Sequence, residues 1–248
     1  RYRFNNQPLV LLTAGYIDYY SSIAHYTNPT LKLTNGELPT NQLRLRVIRQ
    51  IEHGRVLDDL RVSNYAMEPV TIGLVIEIKS DFADIFEVRG IHAPFRGAVE
   101  TVWDAEAHML TNTYRQGEFF AQMGYYIAVA DSPPTYSNGE LVFAVSLGPQ
   151  ESWRAAITME FSASGPCRRQ SRRPLQLRSG ELESDGVLAR WHEVTSTVRV
   201  GDADVQRTVE AASEDLAAVR MYLPGLPEDV WFPAAGVPWF LTIFGRDS

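Results

Sequence analysis

The sequence has a single cysteine, Cys167, among 248 residues. One cysteine excludes an internal disulfide framework and is typical of proteins that stay in a reducing compartment. No stretch approaches the roughly 18 consecutive apolar residues that a membrane-spanning helix requires, and the first residues do not resemble a signal peptide. These absences predict a cytoplasmic protein with no membrane partner, and a leader ahead of Arg1 is the alternative that they leave open.

Positive charge is also scarce. Lys and Arg number 23 against 30 Asp and Glu, so the formal net charge is −7. Nucleic-acid phosphates are bound by clustered Lys and Arg, so this balance argues against a nucleic-acid partner and suits a neutral ligand. The five histidines lack the HxxxH and HExxH spacings of zinc sites, and the sequence has no glycine-rich phosphate loop or GxSxG elbow. We therefore expect neither a metal site nor a cofactor.

Strand periodicity is the pattern that the sequence does have, from about residue 9 to residue 161. In residues 70–78 every second side chain is apolar, and residues 141–147 and 153–161 repeat the pattern. Successive side chains of a strand point to opposite faces, so each segment has one apolar face to bury. Shorter candidate strands lie at residues 9–12, 43–51, 55–63, 108–114 and 125–130.

Turn signals separate these apolar segments. They are Asn35-Gly36, His53-Gly54, Gln116-Gly117 and Asn138-Gly139. Each supplies a glycine where a tight turn requires a positive φ. Many strands with such turns, and no helices between them, predict a mainly β fold in the form of an antiparallel β-sandwich similar to a supersandwich.

The pattern changes after the last of these strands. Residues 162–186 contain an arginine cluster with little hydrophobic pattern, which predicts a solvated connector, with an anion-binding patch as the functional alternative. Over residues 205–223 apolar side chains then recur every three or four residues, which predicts a helix. Asp202 or Asp204 is expected to cap its start, and Pro224 to end it.

We therefore divide the chain into three parts. They are a β-sandwich over residues 1–162, a connector with a candidate last strand over 163–204, and a linker helix with the first segment of a further domain over 205–248. The chain begins at Arg1 rather than at methionine and stops at Ser248, directly after an apolar run. From both ends we expect a fragment of a longer protein.

The most specific segment is the last one, residues 234–248, AAGVPWFLTIFGRDS. It places an arginine and a carboxylate beside several aromatic rings. Sugars are often held in this way, because rings stack on their C–H faces while Asp and Arg bind their hydroxyls. Core packing with a local salt bridge is the structural alternative.

Two separated segments resemble one family. The last segment is similar to the AGxPWF…FGRD motif that opens the (α/α)6 barrel of bacterial amylo-alpha-1,6-glucosidases, the glycogen-debranching type. Residues 81–90, DFADIFEVRG, are similar to the signature of that family's amino-terminal domain, and Asn64-Tyr65 with Glu68-Pro69-Val70 also fits that domain. The resemblance extends from about Tyr2 to Ser248, and only the arginine-rich connector has no counterpart in it.

The resemblance implies a role for this chain in the metabolism of α-glucans. The chain would be the non-catalytic amino-terminal part of a glycoside hydrolase, bracing its own carboxy-terminal (α/α)6 catalytic domain and bordering the sugar pocket. Asp247 and Arg246 would hold the substrate sugar, an α-glucan or oligosaccharide, while Trp239 and Phe240 would stack on it or pack. The catalytic acid and base would follow Ser248, so we expect the chain alone to hydrolyse nothing.

Residues 81–90 contain three carboxylates at a spacing of three, Asp81, Asp84 and Glu87. On a helical turn they would share one face, and in a loop they could bind a cation. We favour a structural corner that buries Phe82 and Phe86 and satisfies its polar groups locally.

Two other functions remain open on the sequence. A free-standing carbohydrate-binding module would explain the β-sandwich but not the predicted helix or the final motif. An enzyme of the same architecture could also cleave another α-linked sugar. No residue up to Ser248 distinguishes a specificity for α-1,6 bonds from a specificity for other α-linked sugars.

Overall fold

The structure is a computed structural model. It describes residues 1–163 apart from 19, 35, 53 and 92–95, and residues 183–236 apart from 224, 228 and 229. The chain forms two units, Arg1–Leu177 and Arg178–Ser248.

The described part of the first unit is built from short and medium strands. They are β1 (Tyr2–Phe4), β2 (Gln7–Pro8), β3 (Val10–Asp18), β4 (Ser21–Thr27), β5 (Leu31–Leu33), β6 (Gly36–Leu38), β7 (Leu43–Glu52), β8 (Arg55–Asn64), β9 (Val70–Glu77), β10 (Ala98–Asp104), β11 (Met109–Gln116), β12 (Phe119–Ala130), β13 (Pro134–Ser137), β14 (Glu140–Leu147) and β15 (Ser152–Ser162). One helical turn, α1 (Ile85–Val88), lies between β9 and β10.

These strands form two main antiparallel sheets. The larger has eight strands in the order β10-β11-β12-β15-β8-β7-β4-β3, and the smaller has five in the order β13-β14-β9-β1-β2. Strands β5 and β6 pair separately. With 54% of residues in strands and 14% in helices, the predicted antiparallel β-sandwich is confirmed.

The core lies between the inner faces of the two sheets, where the alternating segments place their apolar side chains. From β9 onward, Val70, Ile72, Leu74, Ile76 and Ile78 are all buried, as periodicity predicts, and so are the four alternate side chains of β14. Strand β15 follows the pattern through Trp153, Ala155 and Ile157, but Phe161 near its end is 52% exposed. At the carboxyl end of β15 the alternation of apolar and polar residues no longer indicates which side chains are buried.

The hairpin between β13 and β14 shows how the predicted turns work. Asn138 and Gly139 form its two-residue loop with φ of 50° and 83°. Two consecutive residues at positive φ match the twist of antiparallel strands, and Asn-Gly is the pair that tolerates this conformation best.

The second unit contains two helices and a small hairpin in its described residues. Helix α2 spans Glu183–Val194, helix α3 spans Ala203–Ala218, and β16 (Arg220–Met221) pairs with β17 (Phe232–Pro233). No helix in the described ranges is long and apolar enough to cross a membrane.

Helix α2 lies in the segment predicted to be a connector with a candidate last strand. The described residues of that segment, 163 and 183–204, contain this helix and no strand. In its sequence Val187, Trp191 and Val194 recur at spacings of four and three residues, a helical signal that the sequence analysis missed. The three-part division of the chain otherwise stays a prediction.

Helix α3 begins as predicted and ends early. The Asp202 carboxylate caps it by accepting hydrogen bonds from the backbone N–H groups of Asp204 and Val205. The helix stops at Ala218 rather than near residue 223, because the chain turns into β16 and pairs with β17. Pairing with a distant segment overrides the helical periodicity there.

Candidate functional site

The four residues predicted to bind sugar, Trp239, Phe240, Arg246 and Asp247, lie outside the described residues. Their sugar-binding role therefore stays a prediction. The described chain ends just before them, at Gly236.

The described residues that lie shortly before Trp239 and Phe240 are held in place by contacts within the second unit. Strand β17 pairs with β16 directly after helix α3, and the backbone N–H of Ala234 donates to the Val219 carbonyl over 2.7 Å. Ala234 is buried. The residues ahead of the motif are thus held against the carboxyl end of α3.

An aromatic cluster lies in the same unit. The Trp191 ring of α2 meets the Trp231 ring edge-on at 5.2 Å, and the Arg220 guanidinium lies 5.0 Å from the Trp191 ring centre. Trp191 is buried, and its indole N–H donates to the Ser213 hydroxyl over 3.0 Å. The Arg220 Nε also donates to the Ala217 carbonyl over 3.0 Å, so these contacts join α2 to α3 and to the residues that follow it.

Residues 81–90 form a locally satisfied corner, as expected. The Asp84 carboxylate caps α1 by accepting from the backbone N–H groups of Phe86 and Glu87, and the Glu87 carboxylate accepts from the Asp84 N–H to complete a capping box. Arg96 pairs with Glu87 over 2.9 Å. The carboxylates thus serve backbone and arginine groups rather than converging on a cation.

The expected burial at this corner is only half correct. Phe82 stacks on Tyr114 at 5.5 Å between ring centres, and it does so at a φ of 50°, which is rare for an aromatic residue. Phe86 is 58% exposed, so the expectation that it is buried is wrong. Phe82 is half-buried, so a short apolar-polar pattern in a loop does not specify how far each ring is buried.

A cleft of about 840 Å³ opens between the two sheets and contains a charged pair that the sequence analysis missed. Arg49 binds both oxygens of Asp58, with Nε and Nη2 each 2.7 Å from an oxygen. The Tyr2 hydroxyl donates to the same carboxylate over 3.3 Å. Burial, followed by the Asp58 charge, raises the pKa of the Tyr2 phenol above its usual range, so Tyr2 stays protonated as a donor.

The next residue, Asp59, lies on the opposite face of the same sheet and is 1% exposed. It accepts from Arg154 Nε over 2.6 Å and from Arg46 Nη2 over 3.4 Å. In the sequence, the signal for these buried ion pairs is the presence of two consecutive acids among the apolar residues of positions 56–60. Because neighbouring strand residues point to opposite faces, each of the two acids needs its own arginine partner.

These two carboxylates cannot act together on one bond. Glycoside hydrolysis needs two carboxyl groups flanking the same linkage, about 5–9.5 Å apart depending on the mechanism. Asp58 and Asp59 face opposite sides of the sheet, and both are bound by arginines. The described residues also hold no group of three or more His, Cys, Asp or Glu side chains able to bind a metal ion.

Comparison with solved structures finds only distant similarity. A putative kojibiose phosphorylase from the human microbiome is 8% identical, over 81% of this chain and 24% of that chain, with a TM-score of 0.40. The heparan sulfate lyase HepC of Pedobacter heparinus is 14% identical, over 66% of this chain and 24% of that chain, with a TM-score of 0.35. The GH36 α-galactosidase AgaA of Geobacillus stearothermophilus is 10% identical, over 66% and 28%, with a TM-score of 0.30. This chain thus spans about a quarter of each.

Comparison with curated proteins found no match. A family model described as the N-terminal domain of (some) glycogen debranching enzymes matches residues 1–158. That match covers well over half of the 248 residues and coincides with the antiparallel sandwich. The chain belongs to the family of glycogen debranching enzyme N-terminal domains.

Proposed function

We propose that this chain is the amino-terminal, non-catalytic part of a glycoside hydrolase that acts on α-glucans, a debranching-type α-1,6-glucosidase. The observation that carries the proposal is the family match over residues 1–158. The FGRD motif at residues 244–247, which resembles the opening of the family's catalytic barrel, supports it from the other part of the chain.

The charged groups of the sandwich support a non-catalytic role. Asp58 and Asp59 are the most deeply buried carboxylates among the described residues of the sandwich, and both accept hydrogen bonds from arginine side chains. A general acid needs an oxygen that can reach the substrate, whereas both oxygens of each of these carboxylates are bound by arginine side chains. These acids stabilise the fold instead.

The partner in this proposal is the enzyme's own (α/α)6 catalytic domain, which the sandwich braces. Hydrolysis then uses an acid and a base from the barrel. Asp247 and Arg246 hold hydroxyl groups of the bound sugar through charge-assisted hydrogen bonds, and Trp239 and Phe240 border the pocket. The hairpin of β16 and β17 fixes the chain just ahead of these residues.

Activity assays on the native polypeptide test this proposal. We expect it to release glucose from a branched α-glucan and the 248-residue chain to release none. In the native polypeptide, Asp247→Asn should lower kcat/KM by at least about tenfold, since a hydrogen bond to a charged group contributes about 1.5–3 kcal/mol. Asp215→Asn, at an exposed position of α3, is the matched control and should leave kcat/KM unchanged.

Two results would count against the proposal. One is unchanged activity of the Asp247→Asn enzyme. The other is a native polypeptide without hydrolase activity whose 248-residue chain binds glucan tightly, because that combination describes a free-standing carbohydrate-binding module.

A further inference from the structure

The outer face of the eight-stranded sheet carries a row of basic side chains. In the strand register, His25 of β4 lies opposite Arg46 of β7, Arg46 opposite Arg61 of β8, and Arg61 opposite Arg154 of β15. Directly paired residues share a face of the sheet. Since Leu45 and Val47 fill the core, Arg46 and its row point away from it. We call these four residues the cation row.

A fifth basic residue extends the row. Arg44 lies two positions before Arg46 on the same face, and its guanidinium is 5.3 Å from the Tyr65 ring centre. Like charges placed opposite one another destabilise a sheet. The four guanidinium groups among them stay charged, so a partner of opposite charge is needed to offset their mutual repulsion.

Acidic groups balance only part of this charge. Asp59 binds Arg46 and Arg154, and the Asp131 carboxylate accepts from the backbone N–H of Arg154 over 2.7 Å. Arg44 and Arg61 have no carboxylate partner among the residues that the structure describes. Four guanidinium groups against two carboxylates leave a local excess of two positive charges, on a chain whose net charge is −7.

Three enclosed nitrogen atoms on this face have no hydrogen-bond partner in the described structure. They are Nε of Arg44, Nε of Arg46 and Nδ1 of His25. Buried polar atoms are almost always paired, so three unpaired nitrogen atoms on one face distinguish this surface from the rest of the sheet. Burial, together with the charges of Arg44 and Arg46, lowers the pKa of the His25 imidazole. A neutral imidazole adds a hydrogen-bond donor without a further positive charge.

We propose that the cation row, together with Arg44, binds the phosphate group of a small molecule or of inorganic phosphate. Neighbouring strands lie about 4.8 Å apart, so guanidinium groups on β7 and β8 can reach different oxygens of one phosphate. Arginine forks match such oxyanions in geometry as well as charge. The proposed ligand is a charged phosphate, whereas the ligand proposed for Arg246 and Asp247 is a neutral glucan.

Calorimetric titration of the 248-residue chain at low ionic strength tests the site, with inorganic phosphate, glucose 6-phosphate and glucose as probes. We expect both phosphates to bind and glucose not to bind. Arg44→Gln and Arg61→Gln should each weaken binding by about tenfold, because each removes a charge-assisted hydrogen bond. Arg115→Gln is the matched control, since Arg115 is an exposed arginine of the same sheet that lies over Phe120, away from the row.

Thermal unfolding of each variant verifies that the fold is intact, and neither Arg44 nor Arg61 makes an ion pair in the described structure whose loss would unfold it. Similar affinity for the two phosphates identifies a site for the phosphate group itself. Much tighter binding of glucose 6-phosphate identifies a sugar phosphate as the ligand. The proposal is overturned if neither phosphate binds, or if Arg115→Gln weakens binding as much as Arg44→Gln and Arg61→Gln do.

Discussion

Asn64 links two segments of the sandwich through its buried side chain. Its side chain is fully buried at the end of β8. The amide nitrogen lies within 3.3 Å of three backbone carbonyls, those of Glu68, Leu147 and Gly148, and its oxygen accepts from the Ala66 N–H over 2.9 Å. One side chain thereby joins the loop that follows β8 to the end of β14.

We predict that Asn64→Ala destabilises the sandwich by about 3 kcal/mol, because it leaves several buried backbone groups without partners. Differential scanning calorimetry or urea unfolding measures the change. Asn6→Ala at an exposed position is the control and should change the stability by less than about 0.5 kcal/mol. Equal stability of the two variants would show that the Asn64 bonds are not needed.

The two adjacent acids of β8, Asp58 and Asp59, could be interpreted only in part from the sequence. Two adjacent acids in an apolar strand indicate that each needs a buried partner, because an unpaired buried charge is costly. They do not reveal which arginines supply it. Arg49 and Arg154 reach Asp58 and Asp59 from neighbouring strands, and those pairings depend on a strand register that local sequence does not specify.

At the scale of elements, β10 depends on a close approach of backbone at Gly97, just before the strand. A Cβ at this position would lie 2.1 Å from the Arg115 carbonyl oxygen and 2.8 Å from Cζ of Tyr114. The Gly97 N–H also donates to the Tyr114 hydroxyl over 2.9 Å. Only glycine allows the chain to enter the sheet edge here.

Gly97→Ala should therefore loosen β10 from β11 and destabilise the protein by about 2 kcal/mol, the usual effect of overpacking. Hydrogen exchange should show faster exchange of the β10 amides. Gly15→Ala in β3 is the matched control, because a Cβ there meets no atom within 4 Å. Unchanged protection of β10 in the Gly97→Ala protein would contradict this account.

Elements with strong local patterns were predictable and those defined by distant partners were not. The alternation in β9 and β14 marks both their presence and their buried faces. The candidate strand at residues 9–12 proved to be Val10–Asp18, an edge strand whose side chains are almost all exposed. The sequence pattern does not show whether a strand lies at the edge of a sheet or between two other strands.

The candidate functional features also include some that were predictable from local sequence and some that were not. The corner at residues 81–90 could be anticipated from its capping residues, since Asp84 and Glu87 act on neighbouring backbone groups. The cation row could not, because His25, Arg46, Arg61 and Arg154 become neighbours only once four strands are aligned. Strand register, which brings distant parts of the chain together, decided the features of the sheets that local reasoning missed.

At the scale of the whole molecule, the sandwich and the second unit have different characters. The sandwich contains one continuous apolar core between two sheets, with its buried acids bound by arginines. In the second unit, α3 buries only Ala217 among its described side chains and leaves Val205 and Leu216 each 48% exposed. An apolar stripe of this kind is typical of a helix that packs against further protein.

This contrast fits the proposed role. Under that proposal a sandwich with its own core would brace a neighbouring domain, and the exposed apolar residues of α3 would supply the contact surface. The catalytic groups would then belong to the barrel that the motif at residues 234–248 is proposed to open.

The intact mass of the polypeptide, as its native host produces it, tests the central claim most directly. We predict a mass far above the 27.9 kDa of this chain, with the two catalytic carboxylates in the sequence that follows Ser248. A mass close to 27.9 kDa would contradict the account, because a complete protein of that size would have no catalytic barrel for the sandwich to brace.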